Sequence, residues 1–297
     1  MIGESFEDAQ RSDCSCDRGG IPRWPGGGNP APVVLDARGW PDSEMQQVAR
    51  DSGHESAFAV DAAGTGCDLA LRFWVPNHEM SMCGHATVGA VWLMNQRGML
   101  PAPASPDADR ELRVHTASGV VRVRIDRAGS VRVSQPPAVT RPVTDDEAVL
   151  DTLNLDRAQL AGPVRNATAS RTKTIVPVAD PSLLDSLSPA WERVEQTCGE
   201  IGTTGLYSYA ASGPWQFDAR QFPRSSGYPE DPATGVAAAA LAGTLVSDGA
   251  VPAEGGAVAI RQGRAMGRPS RMALTFDTTS EGAVATCWLG GNVEVSR

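Results

Sequence analysis

Cys83-Gly84-His85-Ala86-Thr87 runs straight into Val88-Gly89-Ala90-Val91-Trp92-Leu93-Met94. Roughly half the chain later, Glu230-Asp231-Pro232-Ala233-Thr234-Gly235 runs straight into Val236-Ala237-Ala238-Ala239-Ala240-Leu241-Ala242-Gly243-Thr244-Leu245-Val246. Each is a short polar segment that opens a helix of small apolar residues. A helix that is apolar around most of its circumference has to be buried on all sides. Two such helices, one late in each half, read as an internal duplication. Their N-termini carry unpaired N–H groups and partial positive charge, which attract anions. One site where two positive helix ends meet is the expectation.

Working outward, the first half reads mainly as strands. Pro32–Leu35, Ser56–Val60 and Leu69–Val75 are short apolar runs bounded by turn residues. A helix starts near Pro41-Asp42-Ser43, keeps its spacing to Asp51 and stops at Gly53. Leu112–Thr116, Val120–Ile125 and Val131–Val133 alternate as strands. The second half repeats this grammar. Helices are predicted over Glu147–Leu155, Pro181–Leu187 and Trp191–Cys198, and strands over Thr174–Val178, Leu206–Ala210 and Trp215–Phe222. Ala257–Gln262, Met272–Thr278 and Val284–Leu289 close the chain as strands. Strands outnumber helices and no Gly-rich nucleotide loop follows the first strand, so a doubly wound parallel sheet fits poorly. The expected fold is α+β. It has two pseudo-symmetric domains, 1–128 and 129–297, each a barrel-like β-sheet wrapped around a central hydrophobic helix. The last strand has the option of returning to the first domain. Residues 1–28, rich in Gly, Pro and charge, are expected to be poorly ordered in part.

The 297 residues are comfortable for two domains. A hydrophobic share of 41% with 21% charged residues describes a soluble globular chain. No apolar run approaches the roughly 20 residues of a membrane span, so no membrane partner is expected. The acidic N-terminal stretch does not read as a secretory signal. A net charge of −9 argues against nucleic acid while leaving room for an anionic small-molecule substrate. The six cysteines are scattered without a C-x-x-C pair, and reduced thiols in a cytoplasm are the expectation.

Several residues invite chemistry. His85 lies in the first turn of its helix, where burial and the dipole favour a neutral imidazole. Asp231 stands near the matching helix start, at a common N-cap position; two ordinary helix caps would explain both residues. Glu55 precedes the apolar run Ala57-Phe58-Ala59-Val60. A carboxyl at the mouth of a buried strand is suited to take and return protons when desolvation raises its pKa. Taken alone, that position suits a surface carboxylate better. Cys83 at a helix N-terminus is suited to nucleophile or acid/base work. A two-thiol racemase would need a second cysteine where the matching loop has Pro232, so a passive buried thiol fits better. His54, Glu55, His78, Glu79, Cys83 and His85 form a ligand-rich stretch, but without H-E-x-x-H or C-x-x-C spacing no metal is assigned. No nucleophile elbow, P-loop or dinucleotide fingerprint is found, which leaves acid/base chemistry without a cofactor.

The ordered set of these motifs resembles the PhzF-like isomerases of phenazine biosynthesis, which share the diaminopimelate-epimerase fold. The matching pieces are Gly28-Asn29-Pro30-Ala31 with Val33-Val34, Glu55-Ser56-Ala57-Phe58, Arg72-Phe73 to Pro76 with Glu79, and Cys83 to Thr87. Arg220, Phe222-Pro223 and Glu230 to Gly235 complete them. The resemblance implies a cleft between two similar halves, and Glu55 as the acid/base that moves a proton between substrate carbons. It implies that His85 and Asp231 orient the substrate, with Cys83, Gly84, Ala86, Thr87, Thr234, Gly235 and Val236 lining its binding site. It also implies no cofactor and a homodimer. The substrates it suggests are small unsaturated carboxylates of antibiotic-type secondary metabolism, such as phenazine or alkylproline precursors. Two features depart from the pattern. Val236 stands where a serine is common, and an unmatched buried substrate group there would cost on the order of 1–3 kcal/mol. That speaks against the phenazine substrate itself. The usual apolar strand before Gly28 is replaced by the Gly- and charge-rich Arg11–Gly27. The rivals are an amino-acid racemase or epimerase working through Cys83, and a non-catalytic binding relative.

Overall fold

The computed structural model describes residues 11–14, 28–102, 105, 108–225, 228–291 and 293–295. The chain divides into two compact units. Among the described residues, the first is built on Asn29–Ser134 and the second on Gln135–Leu289. The changeover lies between Ser134 and Gln135, and the chain returns to the first unit at Gly290.

In the first unit the strands are β1 (Arg11–Cys14), β2 (Asn29–Val34), β3 (Ser56–Val60), β4 (Leu69–Trp74), β5 (Glu79–Met80), β6 (Arg110–Thr116), β7 (Gly119–Ile125) and β8 (Val131–Gln135). They pair in the order β1-β2-β3-β4-β6-β7-β8, with β5 beside β4. β2 and β3 run parallel, as do β4 and β6, and the other pairs are antiparallel. A parallel pair needs a crossover. Helix α1 (Asp42–Ser52) supplies the first, and α2 (Gly84–Gln96) the second. Gly53 ends α1 in the left-handed region at φ 69°, a conformation that only glycine adopts cheaply. The α1 face carrying Met45 and Ala49 packs with Val34, Phe58 and Trp74.

In the second unit the strands are β9 (Val139–Pro142), β10 (Arg165–Thr168), β11 (Thr172–Pro177), β12 (Gly205–Gly213), β13 (Gln216–Pro223), β14 (Ala257–Gln262), β15 (Ser270–Thr278) and β16 (Val284–Gly290). Its helices are α3 (Asp146–Leu153), α4 (Pro181–Ser186), α5 (Trp191–Glu200) and α6 (Gly235–Ser247). The alternation seen in the first unit recurs. β11 and β12 are parallel and joined through α4 and α5, β12 and β13 are antiparallel, and β13 and β14 are parallel and joined through α6. Helices α3 to α5 bury Val149, Leu150, Leu153, Leu184 and Val194 against Leu206 and Phe222. The duplication read from two helix starts is therefore a duplication of strand order. The fold is the α+β, epimerase-like class.

The two apolar helices occupy the expected places. α2 packs on β1, β2 and β3, and α6 on β9, β10, β11 and β15. Ala86, Val88, Ala90, Val91, Leu93 and Met94 are buried in α2, and Ala237 to Ala242 in α6. Small side chains let the sheet close on the helix from several directions. At Gly243 an added Cβ would stand 2.5 Å from the Cβ of Ala138.

Four strands were not read from the sequence, the shortest being the two-residue β5. β9 follows Pro136-Pro137, and none of its four residues is buried. β10 buries only Ala167. Short strands with so little burial leave no alternation to read. β1 lies in the segment expected to be irregular, where it pairs with Asn29–Pro32; the rest of 1–27 lies outside the described residues.

Candidate active site

Glu55 sits just ahead of β3, which lies between β2 and β4. Cys83 ends the loop that leaves β5 and is the N-cap of α2, with extended φ/ψ of −137° and 114°. Arg72 on β4 holds that loop. Its Nε and Nη2 donate to Oε1 and Oε2 of Glu79 at 2.6 and 2.7 Å, and its Nη1 donates to Asp42 at 2.8 Å. The same guanidinium lies 5.7 Å from the centre of the Trp74 ring. Those carboxylates raise its pKa above the ordinary arginine value, Glu79 most of all. The Val75 N–H donates to the His78 carbonyl, and the Ser118 N–H to that of Ser81, both at 3.0 Å.

With the loop so placed, three side chains converge. The Cys83 thiol donates to Oε2 of Glu55 at 3.0 Å. Its sulfur is 3.4 Å from Nδ1 of His85, and Nε2 of His85 is 3.5 Å from the same Glu55 oxygen. Cys83 is buried at 4% exposure, while the Glu55 and His85 side chains keep 26% and 20%. Glu55 and Cys83 are distant in sequence, and the β3–β4 pairing with the α2 start brings them together. A carboxylate, an imidazole and a thiol thus share one hydrogen-bonding triangle at a helix N-terminus. Such a group is equipped to accept, hold and return a proton. Of the ligand-rich stretch noted in the sequence, only Glu55, Cys83 and His85 meet, while Glu79 is bound to Arg72.

The rest of this helix start has structural work. The Thr87 hydroxyl donates to the Cys83 carbonyl at 2.7 Å, and its N–H donates to the same oxygen at 3.0 Å. Thr87 and Ala86 are fully buried, so their side chains serve packing. The Cys83 side chain makes no cap hydrogen bond to the helix, and the first turn carries no acidic residue.

The second helix start corrects one expectation. Asp231 is not the N-cap of α6; Thr234 is. The Asp231 carboxylate accepts the Ala233 N–H at 3.3 Å and the Thr234 hydroxyl, so it stiffens the turn before the helix. Gln262 on β14 completes this turn. Its Nε2 donates to the Asp231 carbonyl at 2.6 Å, and its Oε1 accepts the Tyr207 hydroxyl at 3.1 Å. Ser270 donates to the Pro232 carbonyl at 2.7 Å. Gly235 has its place through packing, since a Cβ there would stand 2.4 Å from Leu289 Cδ2. Val236 follows it, half-buried.

Before that turn, Arg220 on β13 binds Glu230 through Nε at 2.9 Å and Nη2 at 2.7 Å. Its Nη1 donates to the Leu184, Asp185 and Leu187 carbonyls at 3.2, 3.1 and 2.7 Å, tying the end of α4 to the turn. Lys173, the sole lysine, is buried nearby on β11 and donates to the Thr204 carbonyl at 3.3 Å. Burial lowers its pKa to about 8, against the opposing pull of the Asp231 charge. Burial also pushes the Tyr207 hydroxyl up, and the Asp231 charge adds to it. Gln262, Tyr207, Ser270 and Lys173 went unread in the sequence because no motif links them. Tyr207, far from Gln262 in sequence, and Ser270, on the paired strand β15, both donate hydrogen bonds to it.

Residues 23–294 match the PhzC-PhzF family, described as phenazine biosynthesis-like protein. The chain belongs to this family. A Deinococcus radiodurans relative named "uncharacterized isomerase" is 32% identical over 92% of this chain and 89% of its own. The Escherichia coli K12 "uncharacterized isomerase YddE" is 27% identical over 84% of each chain. The crystal structure of the Bacillus anthracis phenazine biosynthesis protein of the PhzF family aligns with 97% of this chain and 96% of its own. Its TM-score is 0.79 at 21% identity, a likeness of fold. The PhzF-like protein described here is an isomerase, and its Cys83-to-Thr87 and Glu230-to-Gly235 segments open the two central helices of the family fold. Among the described residues, no helix is long and apolar enough to cross a membrane.

Proposed function

We propose that this PhzF-like isomerase moves a proton, and with it a double bond, within a small unsaturated carboxylate. The observation that carries the reading is the Glu55–Cys83–His85 triangle, with Glu55 Oε2 within 3.0 Å of the thiol and 3.5 Å of the imidazole. Glu55 takes the proton from a carbon activated by conjugation to the carboxylate, and the C–H electrons pass into a dienolate. The same carboxyl then returns the proton to a distal carbon, so a C–H bond breaks, another forms and the double bond shifts. His85 orients Glu55 and stabilises its changing charge. Backbone N–H groups of the uncapped first turn, Gly84 among them, favour the substrate carboxylate. In the second unit, Asp231 and Thr234 hold the turn that carries Gly235 and Val236. The half-buried Val236 favours a substrate with an apolar group, closer to an alkylproline-type precursor of antibiotic-like secondary metabolism than to the phenazine one. The reading includes a cytoplasmic homodimer that works without nucleic acid or a bound cofactor.

The test follows turnover of candidate unsaturated carboxylates by NMR. Glu55→Gln is expected to lose about 10²- to 10⁴-fold in turnover, and activity within a few-fold of wild type would sink the assignment. A second reading has its own observation, the 3.0 Å contact that would let Glu55 draw the proton from Cys83. There the thiolate carries the proton in a racemase-like reaction. Cys83→Ala separates the two, since it abolishes the thiol reaction and leaves the carboxylate reaction within a few-fold.

A further inference from the structure

Among the described residues, Glu55, Cys83 and His85 form a group with the donor chemistry of a metal site, each offering one ligand atom, all within 4.8 Å of one another. We propose that this triangle binds a borderline-soft divalent ion, with zinc as the best fit, in competition with the organic substrate. The distances support it. Sγ to Oε2 is 3.0 Å, Sγ to Nε2 is 3.9 Å and Nε2 to Oε2 is 3.5 Å. Ligands on one face of a zinc tetrahedron stand about 3.4–3.6 Å apart, as Zn–S near 2.3 Å and Zn–N or Zn–O near 2.0–2.2 Å require. The triangle therefore needs adjustments of about half an ångström per edge to seat an ion.

Donor identity narrows the choice. A thiolate, an imidazole and a carboxylate are the set that zinc accepts and that magnesium or calcium, which take oxygen ligands, do not. On binding, the Cys83 thiol gives its proton to the buffer. The thiolate and the carboxylate then carry two negative charges against the two positive charges of the ion, which offsets the unfavourable helix N-terminus. Glu55 and His85 retain 26% and 20% exposure, so an ion has a route in. Three protein ligands leave a fourth position for water. A bound ion occupies Glu55 and blocks proton transfer. That inhibitory consequence rests on the proposed role of Glu55, whereas the binding itself does not.

Cobalt(II) is the probe, because a thiolate ligand to it gives a charge-transfer band that water and oxygen ligands do not. The reduced full-length protein is titrated with Co²⁺ in a non-chelating buffer, and Zn²⁺ is then added to displace it. One equivalent of Co²⁺ with a thiolate band is expected, and Cys83→Ser should abolish the band. His85→Gln and Glu55→Gln should each weaken binding at least about tenfold, and Cys67→Ser should leave it unchanged. Circular dichroism of each variant separates lost binding from lost fold. No thiolate band in the wild type overturns the proposal. So does a band that survives Cys83→Ser, or an affinity that ignores Glu55 and His85. If Glu55→Gln turns over normally while cobalt binding behaves as expected, the proton-transfer reading fails and the metal site stands.

Discussion

The two helix starts are built to one plan and finished differently. Each is preceded by a strand with an arginine two residues before an aromatic, Arg72 with Trp74 and Arg220 with Phe222, and each guanidinium lies over that ring. Each arginine grips a glutamate in the returning loop through two hydrogen bonds. In the first unit the pair is 29% and 30% exposed, and in the second 8% and 7%. The neighbours follow suit. Glu55 and His85 are partly exposed at the first start, whereas Asp231, Lys173 and Gln262 are buried at the second. The first start keeps ionisable groups where solvent and small molecules reach them. The second spends its charges on holding a turn in shape. One duplicated frame thus supports a solvent-accessible corner and a buried, rigid one.

The buried pair should show the largest effect on stability. Arg220→Ala leaves Glu230 as an unpaired buried carboxylate and strips three carbonyls of a donor. A loss of about 3–5 kcal/mol in urea unfolding is expected; a loss below 1 kcal/mol would make the two clamps equivalent.

Lys173 comes next. Its folded pKa of about 8 lies below the unfolded 10.5, so the native state holds this proton less tightly than the unfolded chain. The contribution of this group to stability is therefore fully present above about 10.5 and lost as pH falls through about 8. Lys173→Met removes that burden and should raise stability near neutral pH by up to about 3 kcal/mol. The gain should shrink as the pH approaches 10.5, and paired denaturation curves at several pH values read it directly.

Gly243→Ala tests how closely the second apolar helix is packed. An exposed helix would gain from the change, but here the new methyl meets Ala138 at 2.5 Å. A loss of about 1–3 kcal/mol is expected, and a gain in thermal midpoint would show that the packing yields. Smallest of all, Arg72→Ala should cost about 1 kcal/mol or less, because its partners share much of their exposure with water. A larger loss would place the first start among the rigid ones.

Much of this was legible in the chain. The two helices announced themselves because an unbroken apolar run, Val88–Met94 in one and Val236–Gly243 in the other, leaves no polar face, and burial on all sides follows from that alone. Arg165–Thr168 and Val139–Pro142 did not, because short strands with almost no buried side chains take their stability from backbone pairing that any side chains permit. Asp231 was misplaced by three residues, since a carboxylate that caps a turn and one that caps a helix look alike in sequence.

Local patterns were enough to establish the class of fold, the duplication and the membership of Glu55, His85 and Asp231 in conspicuous segments, because hydrophobic periodicity and helix-start chemistry are properties of neighbouring residues. Only the tertiary structure decided which of them touch. The Cys83 thiol reaches Glu55 because parallel and antiparallel pairing of β2, β3 and β4 sets the end of one strand beside the start of α2. Gln262 reaches the Asp231 turn because β13 and β14 pair across the α6 crossover. Contacts of that kind depend on register and burial across tens of residues, and no local pattern encodes them.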